Sequence, residues 1–137
     1  MLITIDVPAR RIAELISSAI EGGDPVTTAS KGGWCDGIYY RTKDTEPPEP
    51  DPEREVWYQR REFYDSPDFQ LEIIELDDES TGHTTSHIIH RDEVIAGLMV
   101  MAEKFAFAFS RVMQGEIDAP CADIFLQCVV FREEKYA

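Results

Sequence analysis

No stretch of this 137-residue chain approaches the uninterrupted apolar run of about 20 residues that a membrane-crossing helix needs. The opening Met1-Leu2-Ile3-Thr4-Ile5-Asp6 has neither the positive flank nor the apolar core of a signal peptide, so the expectation is a cytoplasmic protein. Cysteine is scarce. Cys35, Cys121 and Cys128 form no Cys-x-x-Cys, and they read as reduced, small apolar core residues; a nucleophilic role would need a base beside one of them, which no spacing supplies. Positive charge is scarce as well: 13 Lys and Arg stand against 27 Asp and Glu, a formal net charge of -14. Such a field repels nucleic-acid phosphates and anionic lipid, and attracts basic protein surfaces. Walker A and Gly-x-Gly-x-x-Gly patterns are absent, and Gly22-Gly23 follows a helical pattern where a phosphate cradle would precede one.

What is present reads as one α+β domain over residues 1–137. Leu2 to Val7 alternates like a short strand. Pro8 opens a helix with Ile12, Leu15, Ile16, Ala19 and Ile20 on one stripe. Trp34 to Thr42 and Glu55 to Phe63 are aromatic-rich strand candidates, joined by an exposed acidic, proline-rich loop at 44–54. Phe69 to Leu76 and His83 to His90 are further strands, separated by the turn composition of Asp77 to Gly82. Asp92 is placed to cap a long helix, with Glu93 in its first turn and Gly115 at its end. That helix is apolar around so much of its circumference that it is either sandwiched in the core or shared with a second copy, and a homodimer or larger homo-oligomer is expected. Asp118 can cap a final element, and its apolar run Ile124 to Phe131 is open between helix and strand. The resulting expectation is a mostly antiparallel sheet of four to five strands packed against about three helices.

Two blocks carry a family resemblance. One is Ile12-Ala13-Glu14-Leu15-Ile16-Ser17-Ser18-Ala19-Ile20-Glu21-Gly22-Gly23 followed by Trp34. The other is Met101-Ala102-Glu103-Lys104-Phe105, Asp118-Ala119, Asp123 to Cys128 and Phe131. Together they resemble a family of small bacteriophage and prophage proteins of unassigned function, over roughly a third of the chain. The sequence departs from that pattern by inserting Asp24 to Gly33 before Trp34. It departs again by ending Arg132-Glu133-Glu134-Lys135-Tyr136-Ala137, where the family closes on a Gly-Glu…Tyr-Gly pattern. The resemblance implies phage origin and transfers no catalytic residue.

His83, His87 and His90 are the only histidines. On a strand, His83 and His87 lie about 13 Å apart at ~3.3 Å per residue, too far to share one metal, so no metal site is expected. Glu62, Asp65, Asp68, Glu72, Glu75, Asp77, Asp78 and Glu79 occur with no Lys or Arg until Arg91. As one negative surface they could imitate a phosphate array and occupy a basic cleft on a host protein; the plainer reading is a solvated, acid-rich exterior. Trp34, Tyr40, Arg41, Trp57, Arg60 and Arg61 are the candidate ligand residues, since aromatic faces with arginines can stack a base and hold a phosphate. Cross-strand packing explains the same residues without a ligand. No motif supplies a catalytic residue or calls for a cofactor, so the chain reads as a non-enzyme. The leading expectation is a phage counter-defence inhibitor acting through its acidic surface. The rivals are a protein that sequesters a nucleotide signal and a structural or interaction protein.

Overall fold

In Gln70–Asp78, Leu71, Ile73 and Glu75 are buried while Gln70, Glu72 and Ile74 face outward, the two-residue period of a half-covered strand. In the computed structural model, which describes residues 7–21, 34–40, 64 and 69–136, this segment is the centre of a three-stranded antiparallel sheet. Its neighbours are β1 (Cys35–Tyr40) and β3 (His83–His90), with Gln70–Asp78 as β2. Tyr40 lies opposite Leu71 and Ile38 opposite Ile73 on one side. Ile89 lies opposite Leu71 and His87 opposite Ile73 on the other. One register therefore lines the inner face with Leu71, Ile73, Ile38 and Ile89.

Four helices are described: α1 (Ala9–Glu21), α2 (Arg91–Lys104), α3 (Ala106–Met113) and α4 (Ala119–Phe131). Helix α1 is amphipathic and buries Ala13, Leu15, Ile16 and Ala19. Helix α4 is the central rod of the helical layer, with every residue from Phe125 to Val129 buried. Its identity as a helix resolves the choice left open by its β-branched residues. Asp118 caps it by accepting from the Cys121 N–H at 2.9 Å, and Pro120 sits in the first turn, where no donor is required.

The α+β class and antiparallel pairing hold. The counts differ: three strands and four helices among the described residues, against four to five and about three. The strand expected over Glu55 to Phe63 lies outside the described residues. So do Leu2 to Asp6 of the first expected strand and the loop at 44–54; Val7 is described and is not in a strand. The long helix expected from Asp92 is broken at Phe105, whose backbone leaves the helical region (φ -130, ψ 52). Its N–H still closes α2 on Met101 O at 2.8 Å, while its carbonyl accepts from Phe109 N at 2.9 Å to start α3. Breaking the rod lets Ala108 and Val112 reach the core that α2 covers with Val94, Leu98 and Met101. The N-cap of α2 is His90, not Asp92, because β3 runs directly into the helix; Glu93 then receives the His90 N–H at 2.8 Å.

Gly97 sets the distance between α2 and α4. A Cβ there would lie 2.6 Å from Val129 Cα, so only glycine permits this approach. Gly115 ends α3 as expected, at φ 80. The outer side of the helical layer leaves Ile95, Met99 and Phe107 exposed at 50, 67 and 80%. Among the described residues no helix is long and apolar enough to cross a membrane.

Candidate functional site

Glu75 continues the inner alternation of β2, so the sheet carries its carboxylate under the helical layer, 3% exposed. A buried carboxylate persists only when paired and hydrogen-bonded. Three groups do this. His87 Nε2, two residues before Ile89 on the same face of β3, lies 2.9 Å from Oε1. Lys135 Nζ lies 2.8 Å from Oε2, and the Tyr136 hydroxyl donates to that same oxygen. Burial pushes the Glu75 carboxyl up, but the bonds from Lys135, Tyr136 and His87 outweigh it and hold its pKa below the ordinary glutamate value. Glu75 in turn raises the pKa of Lys135, and burial together with Glu75 raises that of Tyr136.

Lys135 and Tyr136 reach Glu75 because the chain reverses after α4. Arg132 adopts a left-handed conformation (φ 61) and its guanidinium turns back onto the Cys128 and Val129 carbonyls. The returning segment is then held by Gln127, a fully buried amide on α4. Gln127 Oε1 accepts the Tyr136 N–H at 2.7 Å, and Nε2 donates to Tyr136 O at 2.9 Å and to Asp123 Oδ2 at 3.0 Å. The Tyr136 ring stacks on Trp34, centroids 5.9 Å apart and planes at 4°. Trp34 donates its indole N–H to Asp123 Oδ1 at 2.7 Å. Phe131 fills the middle, 5.3 Å from Trp34 and 5.6 Å from His87, with Lys135 Nζ 4.9 Å above its ring.

These contacts reassign two expected site residues. Glu75 is not part of an acidic surface, because its place on the inner face buries it. Trp34 is not a base-stacking platform, because it is 6% exposed with its ring and N–H engaged by α4 and the segment that follows. Arg41, Trp57, Arg60, Arg61 and the Tyr40 side chain lie outside the described residues, as do Glu62, Asp65 and Asp68. The remaining acids lie on the solvent side. Glu72, on the outer face, accepts from Ser86 Oγ at 2.7 Å. Asp77 receives Thr85 Oγ1 at 2.6 Å and pairs with His83 at 2.7 Å; Asp78 receives the Ser80 N–H and hydroxyl at 3.0 and 2.7 Å. Those bonds, first from Thr85 for Asp77 and from Ser80 for Asp78, hold both pKa values below the ordinary aspartate value. Glu79 is exposed in the turn.

The histidines go to separate carboxylates: His83 to Asp77, His87 to Glu75, and His90 to Glu93 at 3.5 Å. Among the described residues no three His, Cys, Asp or Glu side chains are placed to hold one metal ion. The cysteines are free and buried. Desolvation pushes the thiols of Cys35 up to about 12 and Cys128 up to about 11, and raises that of Cys121 with help from Asp118. All three are protonated near neutral pH, the wrong state for a nucleophile. The arrangement around Glu75 is suited to holding a cation and an aromatic hydroxyl. No match to this chain was found among protein-family models, curated proteins or solved structures.

Proposed function

We propose that this chain is a bacteriophage-type accessory protein that acts by occupancy: its acidic side binds a basic surface on a host nucleic-acid-handling protein and blocks it in the host cytoplasm. The observation that carries this reading is the end of the β2–β3 hairpin, where Asp77, Asp78 and Glu79 stand side by side at the surface. Their oxygens are pre-oriented by Thr85, His83 and Ser80, and Asp77 and Asp78 stay ionised well below neutral pH. Meanwhile Arg11, Arg111 and Lys135 are consumed by Glu14, Asp118 and Glu75 at 3.0, 3.2 and 2.8 Å. The formal net charge of -14 gives the chain a negative field that steers basic partners toward such a carboxylate cluster. The nucleotide-sequestering alternative loses Trp34 and gains no observation.

The test is affinity capture from host lysate with the wild-type chain and with D77N/D78N/E79Q, at low and high salt. Asparagine at 78 keeps the single oxygen that accepts from Ser80 in the turn, and circular dichroism checks that the variant is folded. The expected result is a nucleic-acid-handling protein captured at low salt, released at high salt and lost in the triple variant. An unchanged set of captured proteins removes the hairpin from the mechanism. Self-association belongs to the same proposal, carried by the exposed Ile95, Met99 and Phe107. Light scattering of wild type against Met99→Glu tests it, with a fall to monomer mass expected and a monomeric wild type counting against it.

A further inference from the structure

The segment 132–136 meets the body of the protein as a ligand meets a receptor. A fully buried amide, Gln127, bonds both main-chain groups of Tyr136, as a neighbouring strand would. A buried carboxylate, Glu75, takes a lysine ammonium and a tyrosine hydroxyl on one oxygen. An indole face, Trp34, receives the tyrosine ring. The receptor side comes from Trp34 just before β1, Glu75 on β2 and Gln127 on α4, whereas Lys135 and Tyr136 belong to no helix or strand. Emptied, the receptor would keep His87 on Glu75 and Asp123 on Gln127 but lose the bonds from Lys135 and Tyr136, leaving acceptors and a donor for an occupant of matching chemistry.

We infer that Glu75, Gln127 and Trp34 form a peptide-recognition site for a lysine followed by a tyrosine, occupied in cis by Lys135–Tyr136 and open to the same pair on a partner protein. The chemistry requires this order. The main chain of the tyrosine must lie against Gln127 for its ring to cover Trp34 and its hydroxyl to reach Glu75. The preceding residue then projects its ammonium to the same carboxylate across the Phe131 ring. The cis occupant competes with a partner because the short link from α4 gives it a high effective concentration. The hinge is Arg132, whose left-handed backbone is uncommon for a residue with a side chain. This site is independent of the acidic hairpin, and its assay uses no acidic-surface contact.

The probe is acetyl-Arg-Glu-Glu-Lys-Tyr-amide, titrated into the full chain and into its K135A/Y136A variant by calorimetry. The expected result is saturable binding to the variant, at least ~10-fold weaker binding to wild type, and none when Q127L is added to the variant. Replacing Lys by Glu in the peptide also abolishes binding. A folded variant with no saturable binding overturns the proposal, as does equal affinity for wild type. A variant that fails to fold overturns it too, by making the segment part of the core. Hydrogen exchange of wild type gives a second reading. The Tyr136 amide exchanges on the order of 100-fold faster than that of Ile73 if the segment opens locally; exchange of both amides at one common rate overturns the inference.

Discussion

Replacing Gln127 by leucine removes a buried amide while nearly preserving its volume. The side chain is fully buried and makes three hydrogen bonds, to Tyr136 N and O and to Asp123. Leucine would leave the Tyr136 main chain without its acceptor and donor, at about 1–3 kcal/mol for each group that water cannot reach. Tyr136 is only half-buried and its main chain can hydrate in part, and Asp123 keeps the Trp34 indole. The added apolar burial of leucine offsets some of the loss, by roughly 1 kcal/mol. The expected net destabilisation is therefore ~2 kcal/mol, a fall in Tm of about 6–8 °C for a chain of this size. Urea unfolding followed by circular dichroism measures it, and near-ultraviolet spectra report whether Trp34 keeps its asymmetric surroundings. A loss under ~0.5 kcal/mol with an unchanged Trp signal would refute the idea that Gln127 holds the returning segment.

The other expectations concern the seam, the buried carboxylate and the thiols. Gly97→Ala drives a methyl into the backbone of Val129 and should cost about 2–3 kcal/mol in urea unfolding; a neutral effect would mean that the α2–α4 approach is not tight. Because the Glu75 pKa is lowered by folding, its contribution is fully present above the ordinary glutamate value and is lost as pH falls through the depressed one. Glu75→Gln should accordingly flatten part of the acid-side loss of stability, and parallel wild-type and variant profiles below pH ~5 would refute the coupling. Cys35, Cys121 and Cys128 should react with a thiol reagent at pH 8 only as fast as the chain opens; a thiol labelled in seconds would contradict their burial.

Elements with local signals were legible in the sequence. The two-residue alternation of β2, the α1 stripe, the Asp118 cap and the glycine stop at Gly115 all follow from neighbours a few residues apart. The break at Phe105 has no such signal: neither proline nor glycine marks it, and it arises because α3 must turn to bring Val112 inward. His90 carries no local cap signal, because its own segment reads as strand. For Glu75 the signal was present, since it is the next inner position after Leu71 and Ile73. Its partners Lys135 and Tyr136 are 60 and 61 residues away, and no local pattern links them. The sequence leaves Trp34 open to a ligand for the same reason: its acceptor, Asp123, lies 89 residues on.

Asp123 and Gln127 stand one turn apart on α4. The first tethers Trp34, the residue just before β1, the second the segment beyond Phe131, and they are bonded to each other. Two distant stretches of chain are therefore moored to a single pair of side chains on one rod. Pulling either free loosens the anchor of the other, so a change in occupancy beside Tyr136 would be felt at the edge strand of the sheet, with no need for the rod itself to move.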